Sequence, residues 1–162
     1  MQKLRSKLLE AFYNWIKLKI PEDVIQNMPQ NYPELMKLIF NELENKDENL
    51  ENATNCVIEL LILSRKNPAK FSQLRELVVS KVNLLIGRVN QAVKEKDENL
   101  GDQLTDIFVE LGKTYIEKII DSGDLVIPDI LLSLISIPEV SKFFSFKLCR
   151  VPSIVPSLIS LE

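Results

Sequence analysis

The chain contains no histidine. That absence removes Ser-His-Asp and Cys-His catalysis, and with them the commonest transition-metal ligand. Cysteine is nearly missing too: only Cys56 and Cys149 occur, and no Cys-x-x-Cys. Neither a disulfide framework nor a structural zinc site is available, and the usage fits a reducing compartment. Glycine is scarce, at 4 residues. No Gly-x-x-x-x-Gly-Lys-Ser/Thr or Gly-x-Gly-x-x-Gly loop exists to cradle a phosphate. Positive charge is not in excess either; the net charge is −3, which argues against direct nucleic-acid binding. The longest apolar stretch, Leu125 to Ile137, is interrupted by Pro128 and Asp129 and is too short to span a bilayer. Lys3, Arg5, Lys7 and Glu10 near the start precede no apolar core of a secretory signal. Acidic side chains fall at helix starts and on polar faces, where charge is solvated. These absences predict a protein that is not an enzyme, uses no cofactor or metal, and does not enter a membrane.

What is present is helical. Apolar residues make up 46% and charged residues 27%, a globular balance. No segment alternates at period 2 for the length of a strand. Spacings of three and four predict helices over 2–18, 33–45, 50–66, 69–95, 99–121, 126–136 and 138–149. Pro21, Pro29, Pro33, Pro68, Pro128 and Pro138 sit between these segments or in their first turns, where a missing N–H is harmless. Over 33–45 the predicted buried face is Leu35, Leu38, Ile39 and Leu43. Over 69–95 it is Phe71, Leu74, Val78, Val82, Leu85, Val89 and Val93. Over 99–121 it is Leu104, Ile107, Phe108, Leu111, Tyr115 and Ile119, widened by Val109, Ile116 and Ile120. Residues 53–63 are apolar nearly all round, so that helix should be covered on every side.

The stretch Lys46-Asp-Glu-Asn-Leu50 returns as Lys96-Asp-Glu-Asn-Leu100. Each copy opens an apolar helical pattern. Acidic residues there also suit the positive end of a helix dipole, so convergent capping is the competing explanation. As a repeat, it predicts an all-α fold of the HEAT type, an α-α superhelix of about three antiparallel hairpins. The hairpins fall near 2–45, 50–95 and 99–136, with a fourth starting at 138–149, so that 1–150 is one repeat segment. Residues 151–162, with Pro152 and Pro156, form an irregular tail. Polar terminal helices that cap a solenoid are not evident, which predicts part of a longer array.

The 69–95 helix offers the candidate binding surface. Lys81 and Arg88 are seven residues apart, and Asn83 and Asn90 repeat that spacing on the polar side. Between Arg65 and Lys96 basic residues outnumber Glu76 and Glu95, which suits an acidic protein partner. The competing reading is a solvated helix face. Cys56 reads as a small buried hydrophobe. Trp15 reads as a packed aromatic or an interface anchor.

Three segments resemble successive helices of a known family: Tyr13-Asn-Trp-Ile-Lys-Leu-Lys-Ile-Pro21, Ala53-Thr-Asn-Cys-Val57, and Phe108-Val-Glu-Leu-Gly-Lys-Thr-Tyr-Ile-Glu-Lys-Ile119. They look like the nuclear transport receptors of the importin-β superfamily, nearest the transportin-SR branch, over residues 5–146. The resemblance implies a HEAT-repeat carrier that binds protein cargo, the Ran GTPase and Phe-Gly nucleoporins, and shuttles between cytoplasm and nucleus. It carries no Ran or cargo contact onto a particular residue. Two other classes compete: a HEAT or armadillo scaffold outside transport, and a compact helical adaptor with a peptide groove.

Overall fold

The structure, a computed structural model, describes residues 2–18, 20–45, 49–66, 70–122, 126–137 and 140. Every regular element among them is helical. In chain order they are α1 (Gln2–Lys17), α2 (Glu22–Gln26), α3 (Met28–Asn31), α4 (Pro33–Glu44), α5 (Leu50–Lys66), α6 (Ser72–Leu84), α7 (Ile86–Glu95), α8 (Glu98–Ser122) and α9 (Val126–Ile135). The predicted helix at 138–149, apart from Val140, and the predicted tail lie outside the described residues. The chain divides into two compact units, Met1–Lys81 and Val82–Glu162.

In the first unit α5 packs against both α1 and α4. Their directions follow from side-chain pairs. Asn52 donates to Ser6 Oγ at 3.3 Å, and the Cys56 thiol donates to the Leu9 carbonyl at 3.5 Å. The pairs advance together along both helices, so α1 and α5 run parallel. Glu42, near the end of α4, meets Arg5 near the start of α1 and Asn49 just before α5. α4 therefore runs opposite to both. Leu9, Phe12, Ile16, Ile39, Phe40, Leu43, Cys56, Val57, Leu60 and Leu61 are buried there. α5 is covered unevenly: Ala53, Cys56, Val57, Leu60 and Leu61 are buried, while Ile58, Ile62 and Leu63 stay half-buried. The expectation of cover all round is corrected accordingly.

The buried face of α4 is also turned from its predicted position. Met36, Ile39, Phe40 and Leu43 are buried, while Leu35 and Leu38 are half-buried. The two candidate stripes overlap at Ile39 and Leu43. Glu42 lies at the other edge of this buried arc, on the side of Leu35 and Leu38, and is drawn inward as well. Glu42 is 1% exposed, against the expectation that the acidic groups are solvated. Arg5 Nη1 donates to its Oε1 at 3.2 Å, and Asn49 Nδ2 donates to its Oε2 at 3.1 Å. Both carboxylate oxygens have a donor, which is what a buried charge requires.

The connection from α1 to α4 contains two short helices that hydrophobic periodicity did not reveal, since four or five residues are too few for a stripe. Prolines mark them: Pro21 is the N-cap of α2, Pro29 lies in the first turn of α3, and Pro33 opens α4. This segment is tied onward by the Lys70–Glu22 ion pair at 2.7 Å and by a Gln30–Gln73 hydrogen bond.

In the second unit α8 packs against α7 and α9, which also touch each other. Leu104, Ile107, Phe108 and Leu111 are fully buried, as predicted, and Val109 nearly so. The side chains of Tyr115, Ile116, Ile119 and Ile120 lie outside the described part. Leu85, Val89 and Ala92 are buried on the other side of the contact, with Ile130, Leu131 and Leu134 from α9.

The predicted single helix over 69–95 is two helices with a break at Leu85. The Leu85 N–H donates to the Val82 carbonyl at 2.9 Å, a tight i→i−3 turn. Leu85 has φ −74° and ψ −14°, close enough to helical that the apolar spacing continues across it. The α7–α8 link is two residues long, Lys96 and Asp97. The Asp97 N–H donates to the Ala92 carbonyl at 2.9 Å and the Lys96 N–H to the Val93 carbonyl at 3.2 Å. That is a Schellman closure, with Lys96 in the left-handed region at φ 58° where glycine is usual. Asp97 then caps α8, its Oδ1 accepting the Leu100 N–H at 3.0 Å.

Two outcomes test these joints. Arg5→Met leaves the buried Glu42 carboxylate with one donor and should lower unfolding free energy by roughly 1–3 kcal/mol. Denaturant titration measures it, and a loss below about 0.5 kcal/mol would mean that the pair does not hold the helices. Lys96→Gly relieves the left-handed residue and should add about 1 kcal/mol, seen as a raised Tm; a lowered Tm contradicts the assignment.

Candidate interaction surfaces

The four residues proposed from spacing divide between elements. Lys81 and Asn83 lie on α6, Arg88 and Asn90 on α7. The seven-residue spacing assumed one unbroken helix, and the break at Leu85 interrupts it. Asn83 and Asn90 are exposed, whereas Lys81 and Arg88 are half-buried. Arg88 also has an interaction partner within the protein. The two cations chosen for their charge are thus less accessible than the two amides beside them. Lys81 belongs to the first unit and the other three to the second.

A cavity of about 270 Å³ lies at the α7–α8 link. Buried Val89, Ala92, Thr105 and Val140 line its inner part, and exposed Lys96, Asp97, Glu98 and Asp102 line its outer part. Its volume falls just under the roughly 300–1,000 Å³ of small-molecule pockets. Its polar groups already have structural work. Thr105 Oγ1 donates to the Gly101 carbonyl at 2.6 Å, Asp97 caps α8, and Asp102 has a partner of its own. These three groups take part in closing the helix corner. Among the described residues no group of three or more His, Cys, Asp or Glu side chains is placed to hold a metal ion. No described helix is long and apolar enough to cross a membrane.

Cys56 is fully buried and unpaired to another sulfur. Burial is the main cause that pushes its thiol up to about 12, with the Glu59 carboxylate adding to the effect. A thiol so protonated is a poor nucleophile, in line with its reading as a small hydrophobe.

Trp15 is 37% exposed. Its ring sits 6.1 Å from Phe12 at 55° and 6.3 Å from Tyr32 at 84°. It is held by neighbours and still presents a face outward. Leu4 and Leu8 on the same helix, and Leu18 just past its end, are exposed as well, and no reading of the sequence had singled them out. Their spacing from Trp15 was the available signal; it was hidden because Leu9, Phe12 and Ile16 form a second apolar stripe on the same helix.

Comparison of the chain with family models, curated proteins and solved structures finds no match.

The thiol provides the test of this region. Cys56 should resist iodoacetamide at pH 8 in the folded protein and react once denatured, as followed by peptide mass mapping. The stability linked to its proton is complete below the ordinary thiol value of 9.0 and is lost as pH rises toward about 12, because the unfolded chain releases that proton first. Rapid native labelling of Cys56 would contradict its burial.

Proposed function

We propose that this chain is a segment of a helical-repeat scaffold whose work is to bind other proteins. The observation that carries this reading is the order of directions in the first unit: α1 and α5 run parallel, and α4 runs back against α5. Alternation of that kind lets each helix layer cover the next, and it is the way stacked repeats build a surface for large partners.

The more specific form follows the resemblance of the Tyr13–Pro21, Ala53–Val57 and Phe108–Ile119 segments. In it the chain is a HEAT-repeat segment of a nuclear import receptor, carrying protein cargo through the pore and answering to the Ran GTPase and Phe-Gly nucleoporins. Its energetics are a coupling between binding sites rather than the making and breaking of bonds, so no catalytic residue or cofactor takes part. A HEAT or armadillo scaffold outside transport uses the same architecture without Ran.

Retention of the chain on immobilised Ran separates the two. The transport form expects retention by GTP-loaded Ran and little by GDP-loaded Ran. Equal retention by the two forms of Ran removes the transport form. The basic α6 surface is tested by Lys81→Glu, which should leave the Tm unchanged and weaken binding to an acidic protein partner by about ten-fold.

A further inference from the structure

The apolar side chains of α1 form two faces. Leu9, Phe12 and Ile16 are buried on the side that packs against α5. Leu4, Leu8, Trp15 and Leu18 are 73%, 49%, 37% and 79% exposed. Together with exposed Ala11 they follow one another at intervals of four, three, four and three residues. At the helical rotation per residue, all five project into an arc of about 80°. This is the repeat of a seam between two helices, carried through two heptads. Leu18 lies just past the end of α1 but continues its last turn, its N–H donating to the Asn14 and Trp15 carbonyls at 3.2 and 3.1 Å. Trp15 is already oriented by Phe12 and Tyr32, so less side-chain freedom is lost when it is covered.

Charge identifies the occupant. One flank of the seam is closed by the unit itself. The other carries exposed Lys3, Lys7 and Lys17 against a single exposed carboxylate, Glu10, with Asn14 between them. Lys3 and Lys7 lie in the first two turns, where the helix dipole adds positive potential. Arg5 is turned away to Glu42. A second copy of the same seam would set the lysine flank against the flank closed by the unit in parallel and pair Lys7 with Asn14 in antiparallel, with no attractive ion pair at the seam edge in either case. A bilayer surface calls for a broader apolar face, and here the remaining apolar residues of α1 are used inside the unit.

We propose that the Leu4–Leu8–Ala11–Trp15–Leu18 seam of α1 is a docking site for an acidic amphipathic helix of a partner protein. The partner supplies aliphatic side chains at heptad spacing and carboxylates opposite Lys3 and Lys7. The proposal rests on the geometry of α1 alone and is independent of the transport reading.

Trp15 is the single tryptophan of the chain, and it reports on the seam directly. The full chain is titrated with a synthetic four-heptad peptide bearing Leu at the seam positions and Glu at the flanking ones, and separately with its Lys-flanked counterpart. The Glu peptide should shift Trp15 emission to the blue saturably, and the Lys peptide should bind at least about ten-fold more weakly. Leu8→Gln with Leu18→Gln should abolish the shift at unchanged Tm, since neither side chain is in the core. Lys3→Glu with Lys7→Glu should reverse the preference between peptides. Equal response to both peptides, or none, overturns the proposal. So does a shift produced only by phosphatidylserine vesicles, which assigns the seam to a membrane surface. Concentration-dependent dimerisation that Leu8→Gln removes overturns it in favour of a second copy.

Discussion

A carboxylate taken out of water is the constraint around which the first unit is arranged. Glu42 is 1% exposed, and an ionised group at that depth is tolerated only with donors on its oxygens. Arg5 from α1 and Asn49 at the start of α5 supply them. Three helices are thereby brought to one point, with the end of α4 set beside the starts of α1 and α5. Apolar burial drives α5 against both neighbours but does not choose a register, because a hydrophobic stripe tolerates sliding. The directional bonds to Glu42 choose it. The Asn52–Ser6 and Cys56–Leu9 contacts repeat the same register further along.

The second unit solves its register by backbone means. The α7–α8 turn is closed by two capping bonds before α8 begins, and Asp97 serves at once as the residue after one helix and the N-cap of the next. A link of two residues leaves little freedom in how the helices meet. α8 can then lie against α7 and α9 together with Leu104, Ile107, Phe108 and Leu111 inside.

The repeated pentapeptide shows how identical residues diverge once packed. Asn49 and Asn99 occupy equivalent places in the two copies. Asn49 is buried and donates to Glu42, and its carbonyl accepts the first helical bond of α5, from Ala53. Asn99 is exposed inside the first turn of α8 and accepts from Gln103. In the second copy the first helical bond goes to Asp97 instead, from Gly101. Leu100 is buried where Leu50 is half-buried. The same five letters thus enter their helices two residues apart, because one copy has a buried carboxylate to satisfy and the other has a Schellman turn immediately before it.

Helix identity, most helix limits and the buried faces of α6 and α8 were legible in the amino-acid order, since three-and-four spacing of apolar residues has one low-energy backbone solution. The inert character of Cys56 was legible as well, from its place in an apolar helix. Of the surface built on Lys81, Asn83, Arg88 and Asn90, the amides emerged exposed and the cations half-buried, because the turn at Leu85 breaks a spacing that assumes a continuous helix. Only the tertiary structure decided that Glu42 goes inward, that α4 turns to bury Met36 and Phe40, and that one of the two apolar stripes of α1 is left uncovered. Periodicity states which side chains share a face; what lies opposite that face depends on neighbours distant in the chain, and local spacing carries no record of them.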